Sequence, residues 1–159
     1  MTNVRKIVPI RKKGLDPIGG KDPTFQGGSV LTSVQVQPVF WGAAWKASQA
    51  ALIPELEAYF KFIVASSLID MLAEYSVPGQ TIQHGSVLNS VVESGAEPGG
   101  TTHSISDSEI QTQVDIWVKN GVLTKGKNAL YFLFLPPGVT STFPGEGTSC
   151  IEYCGYHNN

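Results

Sequence analysis

The chain has 159 residues, of which 42% are hydrophobic and 15% are charged. This balance predicts one globular domain with a substantial core and excludes a disordered chain. No apolar run approaches the roughly 20 residues needed to span a bilayer, so a membrane protein is not expected. Six of the eleven basic residues lie before Asp22, which leaves the remainder acidic and argues against a nucleic-acid surface on the folded body.

Residues 1–27 are predicted to form an extended basic leader, and residues 28–159 the folded domain. The leader holds three prolines and four glycines and has little apolar periodicity, apart from a short strand predicted at Lys6–Ile10. It lacks a continuous apolar stretch and a small-residue cleavage site, so no secretory signal is predicted. Its basic residues could bind an anionic partner, but a solvated leader is the simpler interpretation.

The segment 28–41 is predicted to be a strand, because apolar and polar residues alternate from Val34 to Gln37, as in a half-buried strand. Pro38 interrupts this alternation. The proline predicts an edge position, a bulge, or pairing that starts only after it.

Two helices are predicted next. Residues 48–65 place apolar side chains at helical spacing, and Pro54 moves the expected start of this helix to about Ile53. Ser66 or Ser67 is predicted to cap a second, short helix. The side chains predicted to face the core are Leu52, Leu56, Tyr59, Phe60 and Ile63 in the first helix, and Leu68, Met71, Leu72 and Tyr75 in the second.

A strand at 81–92 is predicted to precede the most self-consistent helix, which runs through Asn120 and stops at Gly121. Candidates for the N-cap of this helix are Ser104, Ser106 and Asp107. Its predicted buried stripe consists of Ile110, Val114, Trp117 and Val118.

The apolar run Ala129–Leu135 is too short for a typical helix and predicts a central strand buried on both faces. Pro136 and Pro137 end it, and a loop at a sheet edge, Gly138–Thr148, is expected to follow. Together the elements predict an α/β or α+β domain of three layers, with a mixed sheet of about four strands, two to three helices and no internal repeat.

Reactive side chains are densest near the C-terminal end, where Cys150, Cys154 and His157 are close in sequence. The spacing of the cysteines permits a local disulfide, a partial metal site, or a separate partner for each. A thiolate held by His157 would be a nucleophile. No third orienting group is evident, however, and a disulfide between Cys150 and Cys154 explains both residues more simply.

Other chemical motifs are missing from the sequence, which has no His-Glu-x-x-His, no Cys-x-x-Cys, no phosphate loop and no Gly-x-Ser-x-Gly elbow. His84 and His103 are interpreted as structural or surface histidines. The tryptophans could line a sugar platform, but aromatic residues at strand and helix spacing more often belong to the core. Trp45, in the predicted turn at 42–46, is the candidate for exposure.

The segment Tyr131–Val139, followed by Ser149-Cys-x-x-x-Cys-Gly-Tyr-His157, resembles the phosphate-induced protein family. These are the EXORDIUM-like proteins of plants, and the resemblance is greatest to their bacterial and fungal relatives. It extends from about Gly28 to the C-terminus. The further segments that agree are Val30-Leu-Thr-Ser33 with Val39-Phe-Trp-Gly42, Tyr75-Ser-Val-Pro-Gly79, and Ile105-Ser-Asp-Ser-Glu-Ile-Gln111.

The resemblance implies a zincin-like fold, in which a zinc-binding helix beginning His-Glu-Leu follows the Cys-Gly-Tyr-His segment of the microbial relatives. Two metal ligands and a general-base glutamate on one helical face are what peptidase chemistry of this kind needs. No such helix occurs in the 159 residues. The chain is therefore expected to be the non-catalytic N-terminal part of a zinc metallopeptidase, incomplete at its C-terminus and inactive alone. No cofactor is expected in this chain, and zinc only in a longer form.

By analogy with zincins, Tyr153, Gly155, Tyr156 and His157 are expected to form an edge strand beside a substrate groove. The expected partners are a peptide or cell-wall carbohydrate, and an exposed edge predicts self-association. The plant members are secreted and associated with the cell wall, which implies a secreted or cell-surface location.

Two alternatives to the peptidase interpretation remain. The first is a non-enzymatic module that binds wall carbohydrate or a protein through Gly138–Thr148 and nearby aromatic residues. The second is a thiol enzyme that uses Cys154 and His157.

Overall fold

The structure, a computed structural model, describes Phe25 and residues 27–157; the predicted strand at Lys6–Ile10 and nearly all of the leader lie outside the described residues. The described part contains three α-helices and two sheets, which confirms the predicted α/β class. In chain order the elements are β1 (Gln35–Trp41), α1 (Ile53–Ile63), α2 (Ser67–Leu72), β2 (Ser86–Val87), β3 (Val91–Glu93), β4 (Ser104–Ser106), α3 (Asp107–Lys119), β5 (Ala129–Phe134), β6 (Thr140–Phe143) and β7 (Gly147–Thr148).

All pairings in the main sheet are parallel. β1 lies in the middle, with β5 along one side and β2 and then β3 along the other. The main sheet has the four strands that were predicted, but it is not mixed. The antiparallel pair lies in the second sheet, where β6 pairs with β4 in parallel and with β7 in antiparallel orientation.

Pro38 lies in the buried central strand, so the predicted edge position is wrong. Successive peptide groups of a parallel strand point to its two neighbours in turn. The N–H of Leu88 donates to the carbonyl of Val36 at 2.8 Å, which shows that Val36, and hence Pro38, faces the side of β2 and β3. Pro38 has no N–H to offer there, and the neighbouring strand is broken at that level.

Gln37 bridges this break. The residue is only 4% exposed, although the alternating sequence predicts a polar outer face. Its side-chain amide donates to the carbonyl of Asn89, between β2 and β3, at 3.1 Å, and its oxygen accepts from the N–H of Thr124 at 2.8 Å. A buried amide is stable here because both of its polar ends are hydrogen-bonded.

Helices cover both faces of the main sheet, which confirms the predicted three layers. On one face Phe60 of α1 packs with Val36. On the other face Trp117 of α3 packs with Val39 and Trp41, and the two indole rings meet edge-on at 5.0 Å between centroids. β1 is buried from Val36 to Trp41 because neither of its faces meets water there.

β5 is an outer strand, so its predicted central position is wrong. It pairs with β1 on one side and with no described strand on the other. Both of its faces are nonetheless packed. Leu130 and Phe134 pack against the core residues around Phe60 of α1, and Tyr131 and Leu133 pack against those around Trp117 of α3. An unbroken apolar sequence follows from two covered faces, and it carries no information about which strand lies in the middle.

α1 and α2 form where predicted, with Pro54 in the first turn of α1 and Ser66 at the N-cap of α2, but the inward orientation predicted for several of their residues is wrong. No residue of α2 is buried. Helical spacing identifies an apolar face without showing whether another element covers it. The predicted inward residues that are exposed are Leu52, Tyr59, Leu68, Met71, Leu72 and Tyr75.

The predicted loop Gly138–Thr148 is largely a hairpin, formed by β6 and β7 around a turn at 144–146. The predicted strand at 81–92 is present only as the two short strands β2 and β3. The prolines and glycines of Gly138–Thr148 indicate a loop but do not exclude a hairpin. The strand predicted at 81–92 is interrupted opposite Pro38, and the local sequence does not show this break.

α3 confirms the predicted helix, its buried stripe and its stop at Gly121, where φ is 73°. Ser106 is the N-cap and forms a capping box with Glu109. The hydroxyl and N–H of Ser106 donate to one carboxylate oxygen of Glu109 at 2.6 and 2.8 Å, and the Glu109 N–H donates to the Ser106 hydroxyl at 3.3 Å. These bonds satisfy backbone donors that the helix leaves free.

Replacing Ser106 by alanine should lower the free energy of unfolding by about 1 kcal/mol at neutral pH, because the cap is lost. Urea denaturation followed by circular dichroism measures this change. Ser67→Ala, at an exposed position in the first turn of α2, is the matched control and should change stability by no more than about 0.5 kcal/mol. Equal losses in both variants would contradict the role of the capping box.

The same capping box predicts a pH dependence. The side-chain and then the backbone hydrogen bond from Ser106 lower the pKa of Glu109. Because the folded-state pKa is depressed, the stabilisation is present above the pKa of an unfolded glutamate and is lost as pH falls through the lower folded value. The difference in unfolding free energy between the wild type and Ser106→Ala should therefore shrink in acid. A difference that stays constant with pH would contradict this prediction.

Gln37→Ala should lower the free energy of unfolding by about 1 to 3 kcal/mol, because it removes a buried amide together with its hydrogen bonds to the Thr124 N–H and the Asn89 carbonyl. Gln83→Ala, which truncates an exposed glutamine without a side-chain hydrogen bond in the described residues, is the control. A loss in Gln37→Ala no greater than that of the control would show that the bridge contributes nothing.

Candidate functional site

The C-terminal segment 149–157 is held on the second sheet by hydroxyl groups. The Tyr153 hydroxyl donates to the carbonyl of Ser141 at 2.8 Å. The Ser141 N–H donates to the Ser149 hydroxyl, and the Ser149 N–H donates to the Ser141 carbonyl, both at 2.8 Å. Both serines are buried, so these bonds satisfy polar groups that water does not reach.

Tyr156 ties the same segment to the start of α3. Its ring lies 5.4 Å from that of Phe143 and 5.5 Å from that of Tyr153. Its hydroxyl is hydrogen-bonded to the buried carboxylate of Asp107, which also accepts from the side chain of Gln111. Burial, and then the bond to Asp107 and the negative charge there, raise the pKa of Tyr156 well above its usual range.

Cys150 and Cys154 are exposed free cysteines in this structure, in which the predicted disulfide is not formed. Cys150 has a φ of 66°, and its N–H donates to the carbonyl of Tyr153 at 2.6 Å. His157 is exposed as well. The pairing of the two thiols stays a prediction.

The residues Tyr153, Gly155, Tyr156 and His157 do not form a regular strand in the described part of the chain. Tyr153 makes one isolated parallel bridge with Ser149, and the backbone from 155 to 157 is irregular. Their expected role beside a substrate groove stays a prediction.

The other residues singled out in the sequence lie in separate places. The Nε2 atom of His84 is hydrogen-bonded to a carboxylate oxygen of Asp70 in α2 at 2.8 Å, and both side chains are exposed. His103 is exposed, with a φ of 52°, and its carbonyl accepts from the N–H of Thr140 at 3.0 Å. The predicted exposure of Trp45 is wrong: its ring is 4% exposed and packs on Phe40 at 4.9 Å.

The outer edge of β5 is a candidate binding surface that sequence reasoning did not identify. The N–H of Gln35 donates to the carbonyl of Asn128 at 2.7 Å, so by alternation the even-numbered residues of β5 face β1. The N–H and C=O groups of Tyr131 and Leu133 point outward, and neither residue has a backbone partner there in the described part of the chain. The strand has no charged side chain. This lack of charge is the sequence signal that could have identified the edge as unprotected.

An aromatic patch borders this edge on the α1 face. The ring of Phe132 is 41% exposed and lies 4.7 Å from that of Phe60. Phe60 in turn contacts Tyr59, 5.6 Å away and 56% exposed. Exposed Tyr59 and Phe132, with buried Phe60 between them, are called the edge aromatic patch and lie beside the outward backbone groups of β5.

A crevice of about 340 Å³ lies beyond the carboxyl end of β1. Its lining residues are Trp41, Gly99, Ile105, Glu109, Thr112 and Gln113. Ligands of open parallel sheets commonly bind outside the carboxyl ends of the strands. Gly99, with a φ of 72°, keeps the loop close to β4, because a Cβ there would lie 2.6 Å from the backbone nitrogen of Ser104.

Among Phe25 and residues 27–157, no group of three or more histidine, cysteine, aspartate and glutamate side chains could hold a metal ion. The resemblance implies zinc only in a longer form of the chain, and this stays a prediction. No described helix is both long and apolar enough to cross a membrane.

The chain was compared with known proteins, and no protein-family model, curated protein or solved structure matches it.

Tyr156→Phe should lower the free energy of unfolding by about 1 to 2 kcal/mol, because it removes the partner of a buried carboxylate while keeping the ring contacts. Since the folded-state pKa of Tyr156 is raised, its stabilisation is present below the pKa of an unfolded tyrosine and is lost as pH rises through the folded value. Urea denaturation at neutral and alkaline pH measures both effects. Tyr59→Phe, which alters an exposed tyrosine, is the control, and equal losses in the two variants would contradict the assignment.

Proposed function

We propose that this chain is a peptide-binding module that takes an extended apolar segment of another protein along the open edge of β5. The observation that carries the proposal is the row of outward N–H and C=O groups at Tyr131 and Leu133, next to exposed Phe132. An edge of this kind binds a peptide by adding a strand to the sheet, with main-chain hydrogen bonds giving affinity and alternate side chains giving specificity.

The side chains expected in the bound peptide follow from what lies on the two faces of the sheet beside β5. On the α1 face the incoming side chains would meet the edge aromatic patch. On the α3 face they would meet Tyr131 and Leu133, which are partly buried with the core there. Both rows of a bound strand should therefore be apolar, as in a strand covered on both faces.

This edge carries no charged side chain and pairs with no other strand among the described residues, which supports a binding role. Outer strands of soluble proteins are usually guarded by charges, a bulge or a covering segment. β5 has the sequence Ala-Leu-Tyr-Phe-Leu-Phe, with no charge, and only the prolines after it limit pairing. Such an edge is a liability unless a partner covers it.

The proposal agrees with the EXORDIUM-like, zincin-like resemblance, from which we propose that this chain is the non-catalytic, substrate-binding part of a zinc peptidase. The proposed substrate-binding edge is β5, whereas the resemblance led us to expect it at the segment Tyr153–His157. The assignment to the family, the peptidase activity of a longer form and a secreted location are proposals of the same kind.

Hydrogen exchange tests the edge directly. In the free monomer the amides of Tyr131 and Leu133 should exchange faster than those of Leu130 and Phe132, which donate to β1. Nuclear magnetic resonance measures each amide separately. Slow exchange of the two outward amides in a dilute monomer would show that the edge is covered, and would contradict the proposal.

Binding is tested with the synthetic peptide Lys-Val-Tyr-Val-Tyr-Val-Lys and with the same peptide methylated on two successive central nitrogens. The first peptide should protect the amides of Tyr131 and Leu133, and the methylated one should not, because it cannot complete the ladder on either of its edges. Equal effects of both peptides would contradict strand addition.

Phe132→Lys should weaken binding of the unmethylated peptide, because it places a charge in the edge aromatic patch. Met71→Lys makes the same kind of change at an exposed apolar residue of α2 and should leave binding unchanged. Amide protection that grows with protein concentration in the absence of peptide would identify a second copy of the chain as the occupant instead.

A further inference from the structure

The crevice beyond the carboxyl end of β1 is separate from the edge of β5. It lies between the end of β1, the loop that holds Gly99 and the first turns of α3. Its volume of about 340 Å³ lies at the lower end of the range of small-molecule sites, roughly 300 to 1,000 Å³. A ligand of the size of one six-membered ring with its substituents fits this space.

One wall of the crevice is apolar and rigid. Trp41 is largely buried and packs against Trp117, and its indole N–H donates to the carbonyl of Ala96 at 2.9 Å. The ring is thus fixed, and its only polar group is already bonded. Trp41 is 7% exposed and Ile105 4%, so together they give a ligand a small carbon surface.

Three other lining residues offer hydrogen-bonding groups that the described residues leave free. Gln113 is partly buried, and its amide has no partner there. The Thr112 hydroxyl donates to the carbonyl of Ser108 at 2.8 Å, so its oxygen can still accept. The capping bonds to Glu109 engage one carboxylate oxygen, which leaves the other available. An amide, a hydroxyl and a carboxylate together both donate and accept.

The charge in the crevice is compensated locally. Glu109 lies in the first turn of α3, near the positive end of the helix dipole, and accepts two hydrogen bonds from Ser106. None of the lining residues is a lysine, arginine or histidine. An anion would find no cation here, and a cation would find a single carboxylate whose charge the helix dipole and the two hydrogen bonds from Ser106 already stabilise.

We propose that this crevice binds a neutral polyhydroxylated ring, the chemistry of a single sugar unit. The ring carbons lie against Trp41 and Ile105, while the hydroxyl groups bond to Gln113, Thr112 and Glu109. Sugar binding here does not depend on peptide binding at β5, and the two sites are tested by different amides.

The test is a titration of the isotope-labelled chain with the methyl glycosides of glucose, galactose and xylose, followed by nuclear magnetic resonance. At least one glycoside should shift the amides of Gly99, Thr112 and Gln113 in a saturable way and leave those of Tyr131 and Leu133 unchanged. Cyclohexylmethanol, which has a ring without ring hydroxyls, and butylguanidinium, a cation, should not saturate the same amides.

Gln113→Leu keeps the size of the side chain and removes its amide, and it should weaken glycoside binding about two- to tenfold, the effect of one hydrogen bond. Gln83→Leu is the matched control and should bind as the wild type does. No saturable shift with any of the three glycosides would overturn the proposal. The proposal would also be overturned if butylguanidinium or cyclohexylmethanol saturated the same amides with an affinity equal to that of the glycosides. This comparison uses only the wild-type chain.

Discussion

The described fold depends on the burial of β1 from Val36 to Trp41, a stretch that contains both a proline and a glutamine. Pro38 cannot donate to the neighbour on the side of β2 and β3, and that neighbour is therefore two short strands with a break between them. Gln37 fills the gap with its amide and connects it to Thr124, on the chain after α3. One irregularity in the sequence thus sets the shape of half the main sheet.

The consequences reach the opposite side of the sheet. Because β1 takes the middle position, β5 becomes an outer strand although its sequence is wholly apolar. Pro136 and Pro137 then turn the chain away into the second sheet, instead of adding a strand beyond β5. The free edge and its aromatic patch, on which the proposed peptide binding rests, are therefore a product of topology and not of any local motif.

The C-terminal segment, which the sequence marks as the most reactive part of the chain, is built into the second sheet by its tyrosines. Tyr153 bonds to Ser141 and Tyr156 to the buried Asp107, whereas the two thiols and His157 stay exposed. Dense reactive side chains in a sequence therefore need not form a cluster with a shared chemistry. The crevice at the end of β1, by contrast, combines Trp41 with residues 99–113, which are far from it in sequence.

The sequence by itself determined the helices, the ends of α3 and the class of the fold, because these depend on local spacing and on hydrogen bonds between near neighbours. Ser106, Glu109 and Gly121 mark the ends of α3 without reference to the rest of the chain. Only the tertiary structure decided which strand is central, whether an apolar helix face is covered, and which distant residues line a crevice. Strand order and burial depend on contacts between residues many positions apart. A periodic pattern of apolar residues looks the same in the sequence whether its apolar face packs against another element or faces water.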